Sequence, residues 1–339
     1  MTCKRWKHRP PGSNWGDFGP DDQLGRLNLI GQAQRLAAVR EVREGLSFSL
    51  SLPLDVPRQP ALNPRRRPPL LQPARHDGAP YFGYALGQNI PGATDVISDD
   101  SVTLSPQYST QWDALAHVCH LFDADGDGIA EPVGYNGFRI GAIAPGDDAS
   151  AYTGAQALSV APPARHGVQG RGVLVDLHRH LGTARHAVGY DGLMRIMESD
   201  GVTVRSGDIL CLHTGLAGMA LNLQPGDDHQ ALRQSCAVLD GTDAALLEWI
   251  SASGIAAIAA DNYAVEERRQ ALPDERGGAL LPLHEHCLFK LGLPLGEMWY
   301  LSELAGWLRE RGRHAFLLTA PPLYLPGAVG SPVNPIATV

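Results

Sequence analysis

The sequence predicts a mixed α/β fold, and three observations carry that expectation. Short buried-strand patterns alternate with helical patterns through the second half of the chain, no segment repeats, and no linker divides the alternation. The expected organisation is a single domain, 1–339, with one mixed sheet and flanking helices. At 339 residues the chain is long enough for two domains of typical size or one large one. Either way it buries enough surface to hold a core without disulfides.

Taken in order, Gln32 to Arg43 carries Leu36, Ala37, Val39 and Val42 at intervals that predict a short helix. Leu46 to Leu54 alternates as a strand does, with Leu46, Phe48, Leu50 and Leu52 on one face and Ser47, Ser49 and Ser51 on the other. Asp55 to Arg75 holds six prolines. Each removes a backbone donor and fixes φ, so an extended Pro-rich arm at about 55–75 is expected there, over a neighbouring subunit or an active-site mouth. Gly172 to Leu177 and Ile209 to His213 read as buried strands. Asp191 to Ser199 and Thr242 to Ser251 read as helices, the second with Ala245, Leu246 and Trp249 on its apolar side. Ile255 to Ala260 is a strand of small residues that stops on Asp261. Leu283 to Leu291 and Trp299 to Trp307 predict further helices, and His314 to Ala320 a last strand.

Composition excludes several classes of function. A net charge of -8 with no basic stripe argues against a nucleic-acid partner. The one basic run, Arg65 to Arg67, lies between prolines and is expected to be a solvated loop. No apolar run reaches the ~20 residues that span a bilayer, and no apolar stretch follows the basic N-terminus as a secretory signal requires. Cys3, Cys119, Cys211, Cys236 and Cys287 show no CxxC spacing, which fits reduced thiols and a cytoplasmic protein with no membrane partner.

Three clusters carry candidate chemistry. Gln107-Tyr-Ser-Thr-Gln111-Trp-Asp113-Ala-Leu-Ala-His117 sets an acid and a histidine four residues apart. On a helical turn the two converge, to share a metal ion or to act as an acid/base pair. The same spacing also fits Asp113 as a helix cap and His117 as a hydrogen-bonded, half-buried histidine. Leu283-His284-Glu285-His286 places its histidines on different helix faces, so only one of them is expected to function. Glu297 follows a Gly-Leu-Pro-Leu-Gly turn that could present a carboxylate. Asp261 ends a buried strand, with Glu266 five residues on, where α/β sheets collect ligands, though Asp261 could equally cap the next segment.

These clusters, in this order, resemble the cyclase family of metal-dependent hydrolases, the group of bacterial kynurenine formamidases and isatin hydrolases. The family signature, His-x-Gly-Thr-His-x-Asp-x-Pro-x-His, is similar to Gln107 through His117. Asn14 to Asn28, Gly207 to Gly215, Asp261 to Glu266, and His284 with Gly292 to Glu297 are similar to other family segments, so the resemblance runs from about Asn14 to Ala320. It implies a swivelling β/β/α fold of the kynurenine formamidase kind and one divalent ion, manganese or zinc. Matched by position, Asp113, His284 and Glu297 would hold the ion, with Gln111 beside them, and His117 would move protons. Both signature histidines are glutamine here, at Gln107 and Gln111. A neutral amide oxygen lacks the imidazole nitrogen that zinc favours, so the set leans towards manganese or magnesium.

The resemblance therefore implies hydrolysis of an amide, formamide, cyclic amide or lactone in a small molecule, by a homodimer or homotetramer. Trp112, Gln107, Asp261 and Glu266 are the candidate substrate contacts. The alternatives are a homologue without activity that binds a small molecule or serves as a subunit, and a metal-free ring-closing enzyme using His117. Asp123, Asp125 and Asp127 resemble half of a calcium loop, but Gly134 stands where its closing Glu belongs. His178, His180 and His186 have no acid or cysteine set nearby, and Gly167, Gly170 and Gly172 lack a nucleotide fingerprint.

Overall fold

The computed structural model describes residues 5–58, 62–141, 152–224, 227, 231–272 and 277–339. Cys3 and part of the Pro-rich segment, residues 59–61, lie outside them. Nine strands among the described residues form one mixed sheet: β1 (Ser47–Ser49), β2 (Gln111–Asp113), β3 (Gln169–Asp176), β4 (Ile209–His213), β5 (Ala257–Ala260), β6 (Leu295–Glu297), β7 (Ala315–Thr319), β8 (Gly330–Pro332) and β9 (Ile336–Thr338). Their order is β1-β9-β7-β3-β4-β5-β6-β2-β8. Strands β3 to β6 run parallel, while β7, β9 and β1 extend one side antiparallel and β2 and β8 the other. Parallel strands are covered on both faces, which is why β4 and β5 read as unbroken apolar runs.

The strand period of two divides the core into two layers. Val173, Val175, Leu210, Leu212, Ile258, Ala260 and Leu295 face one layer. Leu174, Cys211, Ala257, Ala259 and Trp299 face the other. Five helices frame this sheet and its site: α1 (Gln32–Val39), α2 (Tyr190–Asp200), α3 (Ala244–Ser253), α4 (Pro282–His284) and α5 (Ser302–Glu310). Helix α2 buries Leu193, Ile196 and Met197 on the first layer, at the i, i+3, i+4 spacing of a single stripe, and stops at Gly201 in the left-handed region. Asp243 starts α3 by accepting from the backbone of Ala245 and Leu246. Helix α5 covers the second layer with Leu304, Ala305 and Leu308. Each such leucine contributes roughly 1.5–3 kcal/mol by burial. Gly172 in β3 lies opposite Phe316 of β7, whose ring occupies the space a Cβ would fill.

Residues 70–103 leave the body of the protein as antiparallel ribbons. Leu70–Pro73 pairs with Asp100–Thr103, Arg75–His76 with Ala79–Pro80, and Tyr84–Ala85 with Val96–Ile97. No strand pattern in the sequence predicts these segments. Leu71, Phe82 and Val96 on this arm are 67%, 66% and 63% exposed. No helix among the described residues is long and apolar enough to cross a membrane. Cys119, Cys211, Cys236 and Cys287 are free thiols, the last three buried.

Candidate active site

Strand β2 builds the site. Its alternation sends Gln111 and Asp113 to one face and Trp112 to the other. In the antiparallel register Gln111 stands opposite Glu297 of β6, and Asp113 opposite Gly330 of β8. Asp113 therefore closes a strand; the helical turn expected around it does not form, and it reaches His117 across a loop. Glu297 is the last residue of β6, and Met298 after it takes a φ of 57°, a backbone conformation that side-chain-bearing residues rarely adopt.

His284 ends α4, where the chain passes into a π-helical turn, Glu285–Leu291. Glu266 fixes it from behind. Its Oε1 accepts from His284 N at 2.8 Å and from Nδ1 at 2.7 Å, and its Oε2 accepts from Leu283 N at 2.8 Å. The carboxylate thus satisfies backbone donors that a helix start leaves open and sets the imidazole's orientation at the same time. Gly241 makes this possible, because a Cβ there would overlap Glu266 Oε2. Ala264 and Val265, both left-handed, with φ of 76° and 57°, turn the chain so that Glu266 points inward. His286, two residues on, faces away and meets Ser251 Oγ at 2.9 Å.

Asp113, His284 and Glu297 come together. Each is buried and offers one ligand atom, all within 4.8 Å of one another. His284 Nε2 lies 3.5 Å from Glu297 Oε1. Gln111 Nε2 donates to Glu297 Oε2 at 3.2 Å and to Asp113 Oδ1 at 3.4 Å. Asp113 Oδ2 and Gln111 Oε1 are buried without a hydrogen-bond partner among the described residues. Buried polar atoms are nearly always paired. Two carboxylates, an imidazole and these unpartnered oxygens are a donor set that fits a divalent ion.

The electrostatics follow from burial and pairing. Burial raises the Asp113 pKa, with Glu297 adding to the rise and His117 opposing it. Burial also works against charge on Glu297, but the hydrogen bond and charge of His284 hold its pKa below the ordinary carboxylate range. For His284, burial disfavours the imidazolium, yet Glu266 and Glu297 together push its pKa up to about 10.

His117 stands at the mouth of this cluster, with Nε2 3.8 Å from Asp113 Oδ1. Arg66 Nη2 approaches the same nitrogen at 3.4 Å, while Arg66 Nη1 donates to Gln107 O at 2.8 Å. Gln107 Nε2 lies 3.5 Å from His117 Nδ1. His117 Nε2 thus lies between a guanidinium, which offers only protons, and the Asp113 carboxylate, which accepts them. Sequence reasoning misses Arg66: the basic run expected to be solvated turns its middle residue inward. The one signal for it is its position in a Pro-rich stretch expected to pass near an active-site mouth.

Two expected substrate contacts lie elsewhere. Trp112 is 3% exposed, packs edge-on to Trp299 at 4.9 Å between centroids, and donates from Nε1 to Ala320 O at 2.7 Å. It belongs to the opposite layer and cannot stack on a substrate at Asp113. Asp261 accepts from Thr214 N, Thr214 Oγ1 and Gly215 N, at 2.6, 2.6 and 2.8 Å, and has no free oxygen to offer. Glu266 spends its carboxylate on Leu283 and His284, while Gln107 does sit beside His117.

A second constellation lies on the far side of the sheet. His213 Nδ1 meets Asp176 Oδ1 at 2.7 Å, and its Nε2 meets Ser302 Oγ at 3.3 Å, the connectivity of a nucleophile triad. It lies on the opposite face of the sheet from Asp113, His284 and Glu297, apart from the candidate ligand set. Burial lowers the His213 pKa, but the Asp176 hydrogen bond and the charges of Asp261 and Asp176 outweigh it and raise the pKa overall.

The remaining candidates lie apart from the Asp113 cluster, and Asp123, Asp125 and Asp127 also bring ligand atoms within 4.8 Å of one another. Asp123 accepts from the backbone of Gly126, Asp127 and Gly128, and Asp125 pairs with Arg139 at 2.5 Å, so the acidic loop closes on itself. His178 and His180 lie on a short helix, Leu177–Leu181, not on a continued strand. His180 pairs with Asp200 at 2.9 Å.

Comparison with known proteins agrees with this architecture. The family model described as "Putative cyclase" matches residues 48–267. A crystal structure described as a novel cyclase is 32% identical, with a TM-score of 0.77 over 96% of this chain and 99% of that one. Isatin hydrolase A from Ralstonia solanacearum superposes at a TM-score of 0.53 with 16% identity, over 90% of this chain and 94% of that one. Isatin hydrolase A from Labrenzia aggregata, bound to benzyl benzoate, gives 0.53 and 15%, over 91% and 99%. No curated protein matches the chain. With the family model covering well over half of its length and the 32% relative nearly all of it, the chain belongs to the cyclase family.

Proposed function

We propose that the protein is a metal-dependent hydrolase of an amide, formamide, cyclic amide or lactone bond in a small molecule. The observation that carries this reading is the convergence of buried Asp113, His284 and Glu297 within 4.8 Å, with His117 Nε2 3.8 Å from Asp113 Oδ1. Asp113, His284 and Glu297 would hold the ion, manganese or zinc, with Gln111 Oε1 as a weaker oxygen donor. A divalent ion held there supplies a Lewis acid for the scissile carbonyl and lowers the pKa of water.

The protein's own groups do the rest. Glu266 keeps the Nδ1 proton of His284 engaged, so Nε2 faces the cluster. His117, beside the cluster, takes a proton from the attacking water and returns it to the leaving group. Gln107 holds the opposite side of that ring, and Arg66 places positive charge where the carbonyl oxygen gains negative charge. Titrating the purified protein with manganese or zinc by calorimetry, then assaying a panel of formamides, isatins and lactones, tests the reading. Ion binding lost in Asp113→Ala, together with hydrolysis that depends on the ion, is the expected result.

One observation favours a second reading. The Gln111 amide nitrogen donates to both Glu297 and Asp113, an arrangement that holds the carboxylates together without a cation. In that case the chain binds a small molecule without hydrolysing it, and the same titration finds no ion. The exposed apolar residues of the 70–103 arm support assembly into a homodimer or homotetramer. The free, mostly buried thiols support a cytoplasmic location.

A further inference from the structure

His117 and Glu266 lie on the wall of an open cleft of about 670 Å³. Five arginines border it: Arg65 and Arg66 from the segment before the arm, Arg185, Arg233, and Arg268. In a chain with 36 acidic and 28 basic residues, such a gathering around the candidate site stands against the overall charge balance. The acids on the same wall do not neutralise it. Glu266 is committed to His284 and Leu283, and Glu267 pairs with Arg185 at 2.7 Å. Arg66 is turned toward His117 and contributes positive charge at Asp113 and Glu297. Arg65, Arg233 and Arg268 are exposed at the rim and form no ion pair with another described residue. Between them the wall is apolar, with Leu216, Leu232 and Tyr263.

We propose that this cleft takes a substrate with an apolar body and an oxyanion, a carboxylate or phosphate, remote from the bond at His117, and that Arg233 and Arg268 with Arg65 bind the oxyanion. This deepens the hydrolase reading and rests on it for the placement of the scissile bond. The guanidinium fork matches the planar face of a carboxylate and the edge of a phosphate, and a charged hydrogen bond of this kind is stronger than a neutral one. A field of one sign around a cleft also raises the arrival rate of an oppositely charged ligand, an effect that salt weakens. A second cleft, of about 550 Å³ beside α2, includes neither His117 nor Glu266 and offers no such link to chemistry.

The test uses the full chain and two readouts. Calorimetry with isophthalate, phenyl phosphate and dimethyl isophthalate compares the two oxyanions with a neutral ester of similar shape. Hydrolysis of formanilide is compared with that of 3-formamidobenzoate. Arg233→Gln with Arg268→Gln, both at exposed positions, removes rim charge without touching the buried core. We expect at least one oxyanion to bind at least tenfold more tightly than the ester, a loss of that preference in the double variant, and a KM advantage for the carboxylate amide that fades with salt. The carboxylate and phosphate arms tell the two sources apart. Equal binding of acid and ester, or an unchanged preference in the variant, overturns the proposal. Arginine-dependent oxyanion binding with no hydrolysis of any amide keeps the cleft assignment and removes the hydrolase reading. Hydrolysis of both amides alike, with no arginine dependence, does the reverse.

Discussion

Gln111 and Glu297 face each other across the β2–β6 pairing, and the amide nitrogen of the first reaches a carboxylate oxygen of the second at 3.2 Å. A glutamine there closes the acid pair with a hydrogen bond where an imidazole would add a nitrogen ligand. Gln111→His is therefore expected to strengthen zinc binding by about tenfold, equivalent to ~1.4 kcal/mol. Calorimetric titration of both proteins checks this, and equal affinities would mean that position 111 does not reach the ion.

Glu266 acts through His284. Glu266→Gln keeps the volume and an acceptor oxygen for His284 but loses the charge and the acceptor for Leu283 N, so ion affinity should fall by roughly 10–100-fold. The fold should survive, as read by circular dichroism. Glu266→Ala strips acceptors from two buried backbone N–H groups as well, and should lower thermal stability by about 1–3 kcal/mol for each donor left unpaired. Equal metal affinity in wild type and Glu266→Gln would remove Glu266 from the positioning role.

His117 is reached from the cleft while the three-residue cluster beneath it is buried. His117→Asn should leave ion binding intact and lower kcat by about 10²–10⁴-fold. A loss confined to KM, with kcat unchanged, would instead make His117 a binding residue.

The His213–Asp176 pair couples stability to pH away from the site. His213 has a folded pKa above its ordinary 6.5, so its contribution to stability is complete below that value and fades as pH rises through the folded one. For Asp176, burial opposes the charge but the hydrogen bond and charge of His213 prevail and lower its pKa. Its contribution is complete above 3.8 and fades as pH falls through the folded value. Asp261 raises the His213 pKa and Arg309 lowers it. The thermal-midpoint difference between wild type and His213→Gln should therefore shrink as pH rises above 6.5 and through the folded value. Ser302→Ala should leave hydrolysis unchanged; lost activity there would reinstate the triad.

The arm offers an apolar surface for assembly. Polar residues at three exposed apolar positions (Leu71→Asn, Phe82→Ser, Val96→Asn) should convert a dimer or tetramer into monomers in light scattering. A wild-type monomer would refute the assembly.

Much of the fold was legible because periodicity reports burial. The parallel strands β4 and β5 and the helices α2, α3 and α5 fall within a few residues of their expected spans, since each buries one stripe or a whole run. The site was legible in its residues more than in its geometry. Asp113 and His117 fit a helical turn by spacing alone, but the pairing of Gln111 with Glu297 and Pro332 draws this segment into the sheet, and a local pattern does not report a partner so distant in sequence. Trp112, adjacent to Asp113, reads as a substrate contact from the sequence, and the strand period turns it to the other face. Arg66 and Gly241 act through contacts with residues far along the chain, so nothing in their own neighbourhoods marks them.

The indole of Trp112 guards the pairing of β2. A slip of one residue there would swing Gln111 and Asp113 beneath α5 and thrust Trp112 among the acids. The bond from Trp112 Nε1 to Ala320 O and the Trp299 ring beside it resist that slip. Trp112 thus works as a registration pin, and a residue on the opposite face governs whether Asp113 meets His284 and Glu297 at all.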